Sequence, residues 1–224
     1  SAASDTRQLN KTYRSSCGII GLFVIPIAAG MMMFAKEFVQ LLFFRGEFTA
    51  YDVQRTGEVV FFYSLGLLFY SLKEVTINVY YARQDAKTPT VNSAITILLN
   101  IVLNLLLMQK MEHKGLALAT ALSSLITTVM LLVQLQRKMG HMGYRYLAGT
   151  YLKMLLAAGV MVAVTLPFYR WISGLTDSLL LGLLAAVLVA MAVYFIACLL
   201  LRVKELGYVV VAIMERLRRK KTAG

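Results

Sequence analysis

Six apolar runs dominate the chain, at residues 17–35, 59–72, 93–108, 116–135, 154–168 and 179–201. Most approach or exceed the roughly 20 residues that carry a helix across about 30 Å of hydrocarbon. A soluble core would interrupt such runs with polar residues at helical or strand spacing, and these mostly lack interruptions. Composition agrees: 59% of the 224 residues are hydrophobic and 15% are charged, where soluble domains carry about one quarter charged. The expected fold class is all-α, a polytopic membrane protein of six transmembrane helices.

The spans are placed at about 16–43, 57–82, 91–109, 115–136, 151–170 and 177–201. Pro26 is the expected kink in the first, because it removes an amide donor and clashes with the preceding turn. The organisation is then a cytoplasmic loop at 1–15, four helices over 16–136, a cytoplasmic loop at 137–150, two further helices over 151–201 and a basic tail at 202–224. In that tail Leu206, Val209, Val210, Ile213, Met214 and Leu217 form a stripe suited to lying along the membrane interface. The polar start "SAASDTRQLNKTYRSS" does not fit a short cleavable signal and reads as an interior loop of a longer chain.

Six spans put both ends on one side. With this placement 16 Lys and Arg fall on the side of the termini and 5 on the other, with Lys36 and Lys73 inside spans. Basic residues accumulate on the cytoplasmic side of short loops, so both ends are expected in the cytoplasm. The net charge of +12 follows from this partition, and no zinc-finger spacing or basic recognition helix points to nucleic acid. His113 and His141 lie on opposite sides of the membrane and share no metal; no metal site and no cofactor is expected. Cys17 and Cys198 read as small packing residues. Ser15, Ser16, Ser93, Ser123 and Ser124 lack an accompanying His and acid, and no catalytic set emerges.

Charges inside the spans carry the functional argument. Lys73 and Glu74 interrupt the second span close to, or slightly cytoplasmic of, the midplane, where each costs roughly 2.5–3.5 kcal/mol to insert. One reading sends Lys73 into a polar cavity to attract an anion, with Glu74 tuning it and Asn78 on the face of Glu74 at four-residue spacing. The other makes Lys73 half of a structural ion pair or a snorkelling residue. Arg45, in the loop "RGEFTAYD", either holds that loop or guides an anion. Asn100 and Asn104 are expected as interhelical glue ahead of cavity lining, and Lys36 as a headgroup anchor. Embedded charge without catalytic chemistry suggests transport.

The segments "LLFFRGEFTAYD", "YSLGLLFYSLKEV", "VYYARQDAKTPT" and "HKGLALATALSS" occur in this order, and the chain resembles the C-terminal half of the MurJ/MviN proteins. The similarity runs from about residue 22 to residue 136; the last two spans match mainly in number and hydropathy. The resemblance implies a lipid II flippase of peptidoglycan synthesis, serving cell-wall biogenesis and cell shape, in the multidrug/oligosaccharidyl-lipid/polysaccharide exporter superfamily. It implies fourteen helices: two six-helix lobes around a cationic cavity, and two more bordering a lipid-facing groove. This chain then corresponds to helices nine to fourteen, and the family's cavity lysine on the tenth helix falls on Lys73. Glu74 is a less common neighbour of that lysine in the family, and no complete sodium site carries over. The implied partners are lipid II or a related polyprenyl-pyrophosphate saccharide, the N-terminal lobe of the same transporter and membrane lipids, in the bacterial inner membrane. Two other readings stand beside it: export of another polyprenyl-linked saccharide or a drug, and a membrane subunit whose buried charges only hold helices together. Replacing Lys73 separates the last from transport, since a structural charge would fail in expression rather than in flux.

Overall fold

The computed structural model describes residues 2–140, 142–176 and 178–207, with side chains from Gln8 onward. Seven helices build it: α1 (Ala2–Met33), α2 (Ala35–Phe43), α3 (Ala50–Ala82), α4 (Lys87–Met111), α5 (His113–Met139), α6 (Tyr144–Ser173) and α7 (Leu179–Leu200). Six are long and apolar enough to cross a membrane, and α2 is the short exception. The helices touch in the order α4, α5, α3, α1, α6, α7, so that α3 lies between α5 and α1 while α6 carries α7.

Three boundaries differ from the sequence expectation, each for a packing reason. Residues 2–15, expected as a loop, continue the first span as helix. Their polarity suggested a loop, but two of them anchor the helix. The Tyr13 hydroxyl is buried 2.9 Å from the Thr76 hydroxyl of α3, and Arg14 Nε donates to the Met142 carbonyl at 2.7 Å. The break in the first span falls at Phe34 rather than Pro26. Pro26 sits inside α1, whereas the Phe34 ring is buried against Leu183 and Ala186 and stands edge-on to Tyr169, centroids 4.9 Å apart. That seat in the α6–α7 layer holds the Phe34 backbone away from helical angles (φ −114°, ψ 26°). The α5–α6 connection, expected over 137–150, shrinks to four residues. It turns at Gly143 with φ +68°, where the Arg14 guanidinium occupies the space a Cβ would need.

Two apolar clusters hold the row together. Tyr13, Cys17, Tyr80, Leu131, Leu135 and Met142 join α1, α3, α5 and the turn after it. Leu22, Met154, Met161, Tyr194, Cys198 and Leu206 join α1, α6, α7 and the turn that follows α7. Leu206 therefore starts no interfacial stripe. It is buried in the bundle, because Arg202 at φ +52° ends α7 and folds the chain back, with Val203 N–H donating to the Cys198 carbonyl at 3.0 Å. The remaining stripe residues lie outside the described chain. Along α6, Tyr151 donates to the Cys17 carbonyl at 2.8 Å, Tyr169 packs on Phe34, and Trp171 is exposed.

Small residues bring α3 and α5 close. A Cβ built on Gly66 would stand 2.9 Å from the Ala121 Cα. Backbone cannot yield as a side-chain tip would, so Gly66→Ala must separate the helices, at the roughly 1–3 kcal/mol typical of overpacking. The full-length protein carrying Gly66→Ala is expected to melt several degrees below wild type in detergent. An unchanged midpoint would contradict this close approach.

Candidate functional site: the open face of α3

The start of α3 is fixed by a capping box: Thr49 N–H donates to Asp52 at 2.9 Å and Asp52 N–H to the Thr49 hydroxyl at 3.3 Å. Its end is fixed by Gln84, whose φ of +60° lets Asp85 N–H reach back to the Tyr80 carbonyl at 3.0 Å. Between these stops run 33 helical residues, roughly 50 Å at 1.5 Å per residue.

Lys73 lies about 10 Å past the middle of this helix by the same rise. Its side chain is 17% exposed, and its ammonium sits 4.5 Å from the centroid of Tyr70 and 3.9 Å from the Glu74 carboxylate. Tyr70 is one turn nearer the middle of α3, so the ammonium is turned toward the helix centre and away from the nearer end. A snorkelling lysine would point the other way. Nor is the charge clasped in dry packing. Glu74 is 51% exposed and reaches Lys73 only at the outer limit of an ion pair, a geometry of small value.

The outward side of α3 differs from those of α4 and α7. Tyr63, Tyr70, Glu74, Asn78 and Tyr81 are exposed and recur at helical spacing on one face. The exposed positions of α4 include Val91, Ile97, Leu98, Ile101, Val102 and Leu105, and those of α7 are equally apolar. Leu, Ile and Val suit hydrocarbon; carboxylate, carboxamide and phenol need water or protein. Lys73 stands at the edge of this polar face, about 100° from Glu74. The tyrosines escaped the sequence reading, although their spacing around Glu74 was the available signal.

Of the four candidate residues, Lys73, Glu74 and Asn78 fall on neighbouring turns. Arg45 is apart. It lies in the exposed loop before α3, whose first residue is roughly 35 Å of helix from Lys73. At that far end Lys36 donates to Gln54 at 2.9 Å, Gln54 to Glu58 at 3.0 Å, and Lys114 bonds Glu58 at 2.8 Å. Arg55 also pairs with Glu112. Lys36 is thus engaged in a clasp of α2, α3 and α5. The asparagines serve the α4–α5 seam: Asn100 donates to Thr120 and Ser123 at 3.3 and 3.2 Å, and Asn104 donates to Asn100 at 2.9 Å. Thr96 meets Thr127 at 2.6 Å, and Asn92 donates to Gln134 at 2.7 Å. A polar residue at every fourth position of α4, from Thr88 to Asn104, marks this ladder in the sequence.

Comparison with known proteins decides the family. The profile described as "MurJ: Lipid II flippase MurJ" matches residues 1–190. The chain belongs to the MurJ family. A probable lipid II flippase MurJ of Rhizobium tropici is 31% identical over 208 residues, covering 89% of this chain and 38% of that protein. The probable lipid II flippase MurJ of Vibrio cholerae is 40% identical over 107 residues, covering 48% of this chain and 20% of its own length. The solved structure "Lipid II flippase MurJ, inward closed conformation" superposes with a TM-score of 0.73 at 25% identity, covering 89% of this chain and 40% of that one. The chain therefore spans well under half the length of these MurJ relatives.

The stretch "YARQDAKTP", one of those resembling MurJ, owes its shape to Asp85. Its carboxylate accepts from Lys138 at 2.5 Å, from the Thr88 N–H at 3.1 Å and from the Thr88 hydroxyl at 2.8 Å, tying the α3–α4 turn to the end of α5. The Lys138 ammonium, followed by the Thr88 groups, pushes the Asp85 carboxyl down from 3.8 to about 2. A depressed carboxyl contributes stability above its unfolded pKa and loses it as pH falls through the folded one. The difference in thermal midpoint between wild type and Asp85→Asn is expected to be constant above about pH 4 and to shrink toward pH 2. A difference that persists undiminished at pH 2 would contradict the assignment.

Proposed function

We propose that this chain is the C-terminal part of a flippase that moves the undecaprenyl-linked peptidoglycan precursor lipid II from the inner to the outer leaflet. It acts as a transporter and forms no covalent intermediate. The observation that carries the reading is the open face of α3. It is a stripe of hydrogen-bonding side chains on a spanning helix, bordered by an ammonium with no tight counter-ion among the described residues, where the outward faces of α4 and α7 are mainly apolar. Such a face matches one wall of a wet chamber whose other wall belongs to the remainder of the transporter. The family names support the substrate, and the share of each relative that is matched supports placing the chain at helices nine to fourteen.

In this reading the bilayer is the bacterial inner membrane and both ends of the chain are cytoplasmic. Lys73 attracts the pyrophosphate or the peptide carboxylates of the substrate. In a chamber of low dielectric an anion gains more from that ammonium than it would in water. Glu74 and Asn78 offer hydrogen bonds to the polar headgroup. The four-helix row α4–α5–α3–α1 rocks as a unit against the other lobe, opening the chamber first to the cytoplasm and then outward. The polyprenyl tail never enters. Between α1 and α7 an apolar cleft of about 330 Å³, lined by Phe23, Ile27, Met31, Met191 and Phe195, lies open beside the bundle and suits it. Keeping the tail in such surroundings avoids exposing it to water at roughly 0.8 kcal/mol per CH2.

Lys73→Ala in the full-length protein is expected to abolish lipid II translocation in proteoliposomes, with membrane insertion, yield and thermal midpoint unchanged. Loss of yield with transport per molecule intact would reduce Lys73 to a structural charge.

A further inference from the structure

Glu74 is the formal counter-charge available to Lys73, yet it shares the ammonium with a ring. Among the described residues, the groups drawn to the Lys73 ammonium are the Tyr70 ring at 4.5 Å from its centroid and the Glu74 carboxylate at 3.9 Å. These partners do different things. A carboxylate at full ion-pair contact would cancel the charge and compete with an incoming anion. A ring face attracts the ammonium through its quadrupole, carries no net charge and leaves the cation intact. The geometry is local and robust: Tyr70 and Lys73 are three residues apart on α3, where side chains overlap along the helix. Tyr70 is itself exposed on the polar face while Lys73 is largely covered, so the ring forms the outer side of the lysine's seat. Glu74 points 100° away around the helix, and its exposure leaves it free to turn toward water.

We infer that Tyr70 is a positioning residue for substrate capture: its ring holds the Lys73 ammonium toward the middle of α3, pointed away from the headgroups and from full neutralisation by Glu74. The inference rests on the reading of Lys73 given above and adds the group that sets its orientation. It specifies the aromatic face, so the phenolic hydroxyl is dispensable. Without the ring, a flexible four-carbon stem turns toward Glu74 or toward the nearer end of the helix, and the anion meets a misplaced charge.

The test uses the full-length transporter, measuring lipid II binding in detergent and translocation in proteoliposomes for Tyr70→Phe, Tyr70→Leu, Lys73→Ala and the Tyr70→Leu/Lys73→Ala double variant. Tyr70→Phe is expected to match wild type. Tyr70→Leu is expected to weaken binding about fivefold, the scale of one cation–π contact at a partly covered site, and to raise the half-saturating lipid II concentration with the maximal rate little changed. In the double variant the Tyr70 change is expected to add nothing to Lys73→Ala, since the ring acts only through the lysine. Several results would overturn the inference: Tyr70→Leu binding as wild type, Tyr70→Phe as damaging as Tyr70→Leu, a lowered thermal midpoint accounting for the loss, or full additivity with Lys73→Ala. If Tyr70→Leu is silent while Lys73→Ala abolishes binding, the positioning role falls and the flippase reading stands. If Lys73→Ala itself binds and transports normally, the reading beneath it falls too.

Discussion

Hydrocarbon offers no hydrogen bonds, so each polar side chain on a spanning helix has to be met by protein or by water. Most of this chain's polar groups are met by protein. Asn92, Thr96, Asn100 and Asn104 are spent on the α4–α5 seam, Thr128 on the Phe69 carbonyl, Tyr80 on the Leu131 carbonyl and Tyr13 on Thr76. Glu74 and Asn78, with the tyrosines flanking them, are left on the open side of α3. The same rule that explains the seam requires water or protein against that open side.

The packing explains why α3 is a suitable wall. It is gripped on two sides, by α5 through Gly66 and Ala121 and by α1 through Tyr13 and Thr76. Each end is tied as well, by the Glu58–Lys114 and Arg55–Glu112 pairs at one and by Asp85–Lys138 just beyond the other. Exposed pairs of this kind each contribute little. Their effect is geometric: they hold turns against helix ends, so that a charge placed inside α3 has a fixed position relative to the bundle. A lobe that rocks as one body needs that fixity, and a flexible lysine needs a further local restraint, which the ring of Tyr70 supplies.

Much of this was legible in the residues. Run length alone counts the six spans, and the four-residue spacing of Asn100 and Asn104 announces a seam. What sequence missed was settled by contacts between distant residues. Residues 2–15 look like a loop because their polarity is judged without Tyr13 reaching Thr76 or Arg14 reaching Met142. The first span breaks at Phe34 and not at Pro26 because a pocket formed by α6 and α7 captures the ring. Leu206 was assigned to the membrane surface because nothing local shows that Arg202 turns the chain back onto the bundle. At the candidate site, the insertion cost of a charge singles out Lys73 and Glu74, and four-residue spacing adds Asn78. Arg45, read as holding its loop or guiding an anion, lies in the exposed loop before α3.

The most direct measurement is water access along α3 in the full-length protein. Cys17 and Cys198 are buried and are replaced first; single cysteines are then introduced as Asn78→Cys on α3 and Leu98→Cys on α4. A wet chamber predicts that the α3 thiol reacts with a small membrane-impermeant maleimide, that lipid II slows the reaction, and that the α4 thiol stays unreactive. An α3 thiol as inert as the α4 thiol in every transport state would contradict it.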